Sequence, residues 1–497
     1  MKKIRKSLVA VLALLLTFAL LPAMALPAAA DPESFDPKAD DKYWLDEGIR
    51  AADYAEKKTS TKTLTIYTAA ELGLFAYELD DEGWDLYQGW TVLLGADINL
   101  AAHLWWPVSM LETVFDGQGH TISGMLVINV ERYDFEMESI PGSVFFAGLF
   151  GMLERCEILN LALNNPVVDI DDNLYSVAAL GSIAGISFGS QFRNLFIENP
   201  TVRLGDALET AFLGGVVGYA SDSEELNSAN LYAGVINHVE IHGGEVLIAN
   251  VYMTCLAKYY LGGIAGSNSC SAIVNAMVYY TSIGIEEAEP RTIEEAEART
   301  IDEIYLGGIT GYTSAINYPG FGVCVLNSIS MASLNVAASI TTNASYLGGI
   351  CGMVDEDAVA NTLFISPQDY PLFGDVINTG GYVVDHNHGY STIGDAHAAK
   401  IIDIKNDKTE NAGGFWWAAK VTDDDTGYGF ENSMKRLIPW TTKTIMGIPD
   451  TPWLGVNDTP PTGDNGNMLT WVLVLSALVL GAGCIVVWSR RRSSREI

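Results

Sequence analysis

Six short glycine-rich boxes divide the middle of the chain into similar units of apolar and polar positions. They are AGLFG at 147–151, LGSIAG at 180–185, LGGVVG at 213–218, LGGIAG at 261–266, LGGITG at 306–311 and LGGICG at 347–352. The last glycines of successive boxes lie 34, 33, 48, 45 and 41 residues apart. A unit that recurs at this spacing predicts a stacked array of repeats.

An asparagine with apolar neighbours follows each box. The six residues are Asn160, Asn194, Asn237, Asn275, Asn327 and Asn361. In four copies the asparagine comes nine residues after the last glycine, whereas the third and fifth copies have 19 and 16. Asparagine tolerates the left-handed backbone conformation and can stack amide on amide along an array. We therefore predict a structural asparagine ladder, with Asn160, Asn194, Asn275 and Asn361 in register.

The segments between the boxes are short, aliphatic and β-branched. Residues 194–197 and 275–279, for example, are predicted to be short strands that end at turns. A helical solenoid needs longer runs of 3.6-residue period and tolerates few glycines. The pattern therefore predicts an all-β fold, a parallel β-helix over about 85–365. The alternative is an antiparallel sandwich in which Gly and Asn are ordinary turn residues.

The ends of such an array need to be covered, because they expose strand edges and apolar core. Thr68 and Glu71 form a capping-box pattern before an apolar run, which predicts a short helix over 69–79 within a lead-in at 31–84. At the other end, 366–457 are predicted to be a β-rich cap. The aromatic segments 415–417 and 437–440 are expected to plug the core there, with a sugar platform as the alternative.

The N-terminus has the three parts of a secretory signal peptide. A basic MKKIRK precedes an apolar run, and small residues follow. We predict a signal peptide at 1–30 with cleavage after Ala30, and a second candidate site at Ala23-Met24-Ala25. The apolar run is shorter than the ~20 residues of a membrane span, but an uncleaved anchor is the alternative.

The C-terminal residues 458–497 contain an apolar segment bounded by two polar signals. Residues 468–488 carry no charge over 21 residues, which predicts a transmembrane helix. Three arginines at 490–492 follow and favour a cytoplasmic tail. A pentapeptide precedes the segment: Thr459, Pro460, Pro461, Thr462 and Gly463.

These motifs resemble known families. The pentapeptide, apolar span and basic tail resemble the LPXTG-like cell-wall sorting signal of Gram-positive surface proteins, with Thr459 in place of the usual Leu. The boxes with their asparagines, and the lead-in from about residue 60, resemble the GLUG repeats of bacterial surface proteins. That resemblance implies a right-handed, pectate-lyase-like β-helix and a place on the cell surface. It also implies sortase and peptidoglycan as partners, and cleavage between Thr462 and Gly463.

Composition excludes one class of partner. Residues 31–462 carry 20 basic and 59 acidic side chains, a net charge of −39. Such a surface repels nucleic acid. Five cysteines outside the apolar span, without close paired spacing, do not indicate a disulfide framework, so they are expected to act as small buried apolar residues.

No metal or cofactor is predicted, although several segments contain residue types that can bind metal ions. His238, Glu240 and His242 alternate on a strand, but the two histidines would be about 13 Å apart, so a solvated face is expected. Residues 385–388 with Asp395 and His397 are a denser group in a predicted loop. Calcium remains an alternative at 169–173, at 423–425 and at the acidic insertion 285–303, although none matches an EF-hand loop.

These features together predict a non-catalytic cell-surface protein with a binding or structural role, most simply an adhesin or a wall-associated protein. Its host or environmental ligand, protein or glycan, is not readable from the sequence. The alternative is a carbohydrate-active enzyme on a β-helix scaffold. That alternative requires two carboxylates about 5–10 Å apart in a cleft flanked by aromatic residues.

Overall fold

The structure is a computed structural model of the chain. It describes residues 42–128, 135–137, 140–170, 176–205, 209–222, 234–249, 257–269, 271–286, 299–314, 325–326, 328–338, 340–355, 359–360, 362–377, 384–385, 387–391, 402–403, 417–418 and 438–439. The predicted signal peptide, the sorting pentapeptide and the apolar segment 468–488 lie outside these residues. Within them, no helix has the length and apolar character needed to cross a bilayer.

The described part of the chain is mostly β-strand and contains one helix. Before the repeats lie β1 (Glu56–Lys58), β2 (Thr63–Ile66), α1 (Ala69–Glu82), β3 (Thr91–Leu94), β4 (Ile98–Asn99), β5 (Val108–Leu111), β6 (Val114–Asp116), β7 (Thr121–Ser123), β8 (Leu126–Ile128) and β9 (Phe135–Met137). The first three repeats contain β10 (Ile140–Ala147), β11 (Phe150–Glu154), β12 (Glu157–Asn164), β13 (Val167–Ile170), β14 (Val177–Gly181), β15 (Ala184–Phe188), β16 (Gln191–Glu198), β17 (Thr201–Leu204), β18 (Thr210–Gly214), β19 (Val217–Ser221), β20 (Val235–His242) and β21 (Glu245–Ile248).

The later repeats follow the same order. They contain β22 (Lys258–Gly262), β23 (Ala265–Ser269), β24 (Ala272–Ile285), β25 (Arg299–Gly307), β26 (Thr310–Ser314), β27 (Val325–Leu326), β28 (Ile329–Val336), β29 (Ile340–Gly348), β30 (Cys351–Asp355), β31 (Val359–Ala360), β32 (Leu363–Ile365), β33 (Phe373–Ile377), β34 (Val384–Asp385) and β35 (His388–Tyr390). A small separate sheet contains β36 (Ile402–Asp403), β37 (Trp417–Ala418) and β38 (Ile438–Pro439).

The repeats contribute strands to three large sheets. β9, β10, β14, β18, β22, β25 and β29 form the seven-stranded sheet, and β5, β11, β15, β19, β23, β26, β30 and β33 form the eight-stranded sheet. The other strands of β1–β35 form a 20-stranded sheet, here called the long sheet. The strands of these three sheets pair in parallel, apart from the antiparallel pairs β1–β2 and β9–β10. The prediction of a parallel, mostly β architecture is confirmed.

Register is kept from repeat to repeat, apart from one shift between β24 and β28. Leu180 lies opposite Leu213 in the seven-stranded sheet, and Leu195 lies opposite Val239 in the long sheet. All four side chains are fully buried. Because neighbouring strands are about 4.8 Å apart, each apolar position becomes a continuous row of side chains inside the array. The parallel pairing continues beyond residue 365, through β33, β34 and β35.

Each glycine box lies where the chain passes from the seven-stranded to the eight-stranded sheet. In the fourth repeat β22 ends at Gly262 and β23 begins at Ala265. A Cβ on Gly266 would lie 2.6 Å from the backbone N of Leu213 and 2.7 Å from the carbonyl O of Tyr260. Backbone of the two sheets therefore approaches so closely that a side chain does not fit, which explains the last glycine of the box.

Further bends occur at left-handed residues, which form rows across the long sheet. One row contains Asn160, Asn194, His238 and Asn275, with φ between 49° and 58°. A second row, here called the Tyr280 row, contains Gly124, Asn165, Asn199, Gly243 and Tyr280. Adjacent members of this row are linked by backbone hydrogen bonds, such as Asn199 N to His242 O and Gly243 N to Tyr279 O, both 2.7 Å. Gly and Asn adopt this conformation at the lowest cost, which accounts for most of these positions.

Helix α1 begins at Ala69, as predicted, and continues to Glu82, three residues beyond the predicted end. The Thr68 Oγ1 accepts a 3.2 Å hydrogen bond from the backbone N of Glu71. The Glu71 carboxylate in turn accepts from the backbone N of Tyr67 at 2.8 Å and of Ala55 at 2.7 Å. These bonds complete the capping box and tie the preceding segment to the helix start. Leu72, Phe75, Ala76 and Leu79 of the helix join the main apolar core.

Among the described residues, Cys156 and Cys351 are both buried. Cys351 occupies an inner row of the eight-stranded sheet, opposite Thr310. The Cys156 thiol donates to the carbonyl O of Met110 at 3.3 Å, and burial raises its pKa from 9.0 to about 12. Both residues therefore serve as small core side chains.

Candidate functional site

The asparagine ladder has a defined polarity at its N-terminal end. Strand register places Asn160 opposite Asn194, between the pairs Leu159–Arg193 and Leu161–Leu195. Asn194 Nδ2 donates to Asn160 Oδ1 at 2.7 Å, and Asn160 Nδ2 donates to Asp116 Oδ1 at 3.0 Å. The Asp116 carboxylate is therefore the terminal acceptor of this chain of amides.

The third repeat departs from the predicted ladder. Register pairs Arg193 with Asn237 and Leu195 with Val239, so His238 lies opposite Asn194. The prediction that Asn237 occupies the ladder position is therefore wrong. The long loop of this repeat made the counting ambiguous by one residue, and both residues tolerate the bend. Asn237 still contributes, because its Oδ1 accepts a 2.9 Å hydrogen bond from Asn275 Nδ2. The predicted ladder residues Asn327 and Asn361 lie outside the described residues.

The structure also differs from the prediction that His238, Glu240 and His242 form a solvated face. His238 is turned by its left-handed backbone, whereas Glu240 is 1% exposed. His242 Nε2 lies 3.2 Å from Glu240 Oε2, and the imidazole packs between the rings of Phe196 and Tyr279 at 5.0 and 4.6 Å. These aromatic neighbours exclude water from one side of the pair. The pair thus belongs to the packing of the long sheet's outer face.

The other candidate metal segments are only partly described. Asp385 lies on β34 and His388 on β35, whereas residues 386, 395 and 397 lie outside the described part. The same holds for 171–173, 287–298 and 423–425. Among the residues that the structure describes, no group of three or more His, Cys, Asp or Glu side chains is placed to hold a metal ion.

The most extensive functional-site candidate is a row of aromatic side chains that sequence analysis did not identify. Phe212, Tyr260, Tyr305 and Tyr346 occupy one register position on four neighbouring strands of the seven-stranded sheet. Successive ring centroids are 4.9, 4.5 and 4.9 Å apart, with interplanar angles of 22°, 3° and 18°. Parallel stacking at these separations stabilises each ring pair by about 0.5–1.5 kcal/mol.

Aromatic residues of the eight-stranded sheet contact this stack. The ring of Tyr219 lies 5.1 Å from that of Phe212, and the ring of Tyr312 lies 5.8 Å from that of Tyr305 in an edge-on arrangement. The rings of the two sheets therefore lie side by side, and they are here called the aromatic seam, which consists of Phe212, Tyr219, Tyr260, Tyr305, Tyr312 and Tyr346. Five of these side chains are half-buried, and Tyr305 is 7% exposed.

The seam carries hydroxyl and carboxylate groups along its length. The Tyr305 hydroxyl donates to Glu303 Oε2 at 2.6 Å, and Lys258 Nζ lies 2.7 Å from the same oxygen. The Tyr312 hydroxyl donates to Asp355 Oδ2 at 3.0 Å. Burial raises the pKa of both tyrosines far above 10, assisted by these carboxylates. The hydroxyls thus remain protonated donors at neutral pH.

The arrangement suits binding better than proton transfer. The tyrosine faces are covered by their neighbours in the stack, so ring edges and hydroxyls are what the seam offers to a partner. Glu303 is hydrogen-bonded to Tyr305 and paired with Lys258, and Asp355 is hydrogen-bonded to Tyr312. The signal for the seam was present in the sequence: Tyr precedes Leu-Gly-Gly in the last three boxes, and Phe precedes it in the third.

Comparisons with known proteins add a distant structural likeness. No protein-family model matches the chain. No curated protein matches it at significance. One solved structure that resembles the chain is titled as that of a "putative immunoglobulin A1 protease" from Bacteroides ovatus. That likeness has 16% sequence identity and a TM-score of 0.40, and it covers 68% of this chain and 86% of the other.

Proposed function

We propose that the protein is a non-catalytic surface protein of a Gram-positive envelope, an adhesin or a wall-associated binding protein, built on a right-handed parallel β-helix. In this proposal the chain coils through the three large sheets once per repeat, and α1 covers the first coil. The signal peptide directs export. Sortase then cleaves between Thr462 and Gly463 and joins Thr462 to peptidoglycan.

The observation that carries the proposal is the in-register parallel pairing of the repeats in the three large sheets, which one bulge interrupts, between β24 and β28. Rows of identical or similar side chains, such as Tyr260, Tyr305 and Tyr346, run along the outside of the array. A repeat array of this kind presents an extended and rigid lateral surface, which is how such proteins usually bind. The strong negative charge supports a partner other than nucleic acid.

The place in the envelope follows from the length of the tail. Between Leu454 and Thr462 the chain spans at most about 28 Å when extended. In this proposal the domain therefore lies low in the wall. The 285–303 insertion and the aromatic seam are the surfaces proposed to face a partner.

The proposal is tested with purified residues 31–457 on arrays of glycans and of host and bacterial proteins. The expected result is saturable binding of a ligand that is recovered chemically unchanged. A variant with Tyr305→Leu and Tyr312→Leu tests the seam, and Tyr305→Phe is the matched control that keeps the ring. Release of shortened glycan or protein products by the wild-type domain would overturn the non-catalytic assignment.

A second candidate, a carbohydrate-active enzyme, is favoured by one observation. Glu303 and Asp355 are both carboxylates of the aromatic seam, and the rings of their tyrosine partners lie 5.8 Å apart. Carboxylates flanked by aromatic residues are among the groups that glycoside cleavage uses. Under this alternative, turnover of a polysaccharide would be abolished by Glu303→Gln and by Asp355→Asn. Turnover that survives both changes would exclude the seam as an active site.

A further inference from the structure

The aromatic seam continues an apolar cluster that fills the junction of the seven-stranded and eight-stranded sheets in the first two repeats. The members of this cluster are Val144, Phe146, Met152, Val177, Ala179 and Ile186, and each is at most 5% exposed. Ala179 lies opposite Phe212 of the seam, and Ile186 lies opposite Tyr219. The two seam residues pack against the cluster but are only half-buried. The junction is thus filled at one end of the array and partly exposed along the seam, which makes the seam a candidate docking surface.

The seam residues of the eight-stranded sheet alternate in size. One register position holds Tyr219, Ser267 and Tyr312 on three successive strands. The two tyrosines are half-buried, whereas Ser267 is 3% exposed. Because neighbouring strands are about 4.8 Å apart, the accessible tyrosines recur about every 9.6 Å along the array.

A carboxylate continues this spacing. Met353 follows Tyr312 at the same register position, and Asp375 follows Met353. Asp375 is exposed, and its Oδ1 accepts a 2.8 Å hydrogen bond from the backbone N of Val376. Tyr219, Tyr312 and Asp375 therefore mark three points along the junction, each about 9.6 Å from the next.

One class of ligand repeats at nearly this distance. A polyproline II helix has three residues per turn and rises about 3.1 Å per residue, so equivalent positions recur about every 9.3 Å. Such helices dock into grooves lined with aromatic residues, and their preformed backbone loses little entropy on binding. Two prolines three residues apart would therefore contact Tyr219 and Tyr312.

Charge determines what else the ligand carries. A residue one further turn along the helix would lie beside Asp375, and Glu303 and Asp355 add two carboxylates to the seam. Lys258 is paired with Glu303 at 2.7 Å, which leaves the acidic character of the strip in place. A basic residue in the ligand is therefore attracted, and an acidic one is repelled.

A glycan is the other class of ligand that aromatic residues bind. A pyranose packs its C–H groups on the face of an aromatic ring, but both faces of Tyr260 and of Tyr305 are covered by their neighbours in the stack. The spacing and the exposed carboxylate thus favour a polypeptide over a sugar.

We propose that the aromatic seam binds a basic, proline-rich polypeptide in the polyproline II conformation, with prolines against Tyr219 and Tyr312 and a basic residue beside Asp375. This inference rests on the proposed function and deepens it, because it names the class of ligand that the seam binds.

The test uses the full-length protein in detergent and a fluorescent peptide, Arg-Pro-Pro-Ala-Pro-Pro-Ala-Pro-Pro-Arg, at physiological salt. Fluorescence anisotropy is expected to show binding at least tenfold tighter than that of the same peptide with glycine in place of every proline. The glycine peptide carries the same charge, so it controls for nonspecific attraction to an acidic protein. The proline peptide with glutamate in place of both arginines should also bind more weakly.

Substitutions place the peptide on the seam. Tyr312→Ala should weaken binding at least tenfold, whereas Tyr312→Phe, which keeps the ring, should retain most of it. Asp375→Asn should weaken binding of the arginine peptide several-fold, and it preserves an acceptor for the backbone N of Val376 at an exposed position. Tyr67→Ala removes an exposed tyrosine of the lead-in and is the matched control, with unchanged affinity expected. Circular dichroism checks that each variant is folded.

Equal affinity for the proline and glycine peptides would overturn the proposal, as would unchanged affinity in Asp375→Asn and in a folded Tyr312→Ala. Binding of cellohexaose that Tyr312→Ala abolishes, without binding of the proline peptide, would assign the seam to glycans. Either result would leave the non-catalytic assignment intact, whereas cleavage of the peptide or of the sugar would overturn that assignment.

Discussion

Asn194 Nδ2 donates a 2.7 Å hydrogen bond to Asn160 Oδ1 across two successive repeats, and both residues have left-handed backbones. One residue type thus meets two requirements at once, a tight bend and a link along the array. Alanine meets neither requirement and glycine meets only the first. The pair therefore allows the two contributions to be measured separately.

Asn194→Ala is expected to lower the free energy of unfolding by about 2 kcal/mol, since it forces alanine into a left-handed conformation and removes a hydrogen bond. Asn194→Gly removes only the hydrogen bond and should cost about 1 kcal/mol. Urea unfolding followed by circular dichroism measures both. Equal losses for the two variants would show that the backbone conformation contributes nothing.

Gly266→Ala is expected to destabilise the domain by about 2 kcal/mol or more, because the added Cβ meets backbone atoms of Leu213 and Tyr260 that have no room to move. Gly389→Ala is the matched control, since its added Cβ meets only the side chain of Leu372, at 3.3 Å. Thermal melts of both variants provide the comparison. A control that is as unstable as Gly266→Ala would contradict the close-approach explanation.

Glu71→Ala is expected to cost about 2–3 kcal/mol, because it leaves the backbone N–H groups of Ala55 and Tyr67 without their acceptor beside a buried helix start. Thr68→Ala, which removes the other half of the capping box, should cost about 1 kcal/mol. Glu82→Ala, at the exposed end of the same helix, is the control and should be nearly neutral. Chemical unfolding ranks the three variants. A neutral Glu71→Ala would show that the lead-in segment does not depend on this carboxylate.

Cys156 should make the domain less stable in alkaline solution. Its pKa is 9.0 in the unfolded chain and about 12 in the folded domain, so above pH 9 only the unfolded chain loses the thiol proton. The stability difference between wild type and Cys156→Ala should therefore shift by about 1 kcal/mol against the wild type between pH 8 and pH 10. Urea unfolding of both proteins at the two pH values measures it. A pH-independent difference would show that the folded thiol ionises normally.

Sequence reasoning predicted the regular part of the fold well, because repeated side chains are forced into equivalent places. The spacing of Gly151 and Asn160, repeated at Gly185 and Asn194, indicated that successive strands pair in parallel. The capping box at Thr68 likewise predicted the start of α1. Both signals depend on residues that are close in the sequence, and not on which strands pair with one another.

Prediction and structure differ where the register of a strand depends on the strands beside it and not on the spacing of residues along the chain. The third repeat has a long loop before its asparagine, so only the pairing of Leu195 with Val239 reveals that His238 takes the bend. Glu240 looked like a solvent-facing residue by alternation, but Phe196 and Met277 lie beside it on the neighbouring strands. Outward-facing positions that pack on one another do not follow a simple inward–outward pattern.

The aromatic seam and Tyr280 illustrate what one sequence leaves hidden. Tyr before Leu-Gly-Gly in three boxes was visible, but its meaning depends on the seven-stranded and eight-stranded sheets meeting at the box. Tyr280 lies within β24, whose sequence reads as one continuous strand, and nothing in its neighbours marks a left-handed residue. Its conformation belongs to the row of bends that crosses the long sheet, a tertiary effect.

We propose that the domain acts while it is joined to the cell wall through Thr462. Mass spectrometry of proteolysed, detergent-washed cell walls tests this most directly. The expected result is a C-terminal peptide that ends at Thr462 and carries a peptidoglycan fragment, with no peptide from 463–497 on the mature protein. Recovery of the intact protein, with 463–497 attached and released by detergent alone, would contradict it.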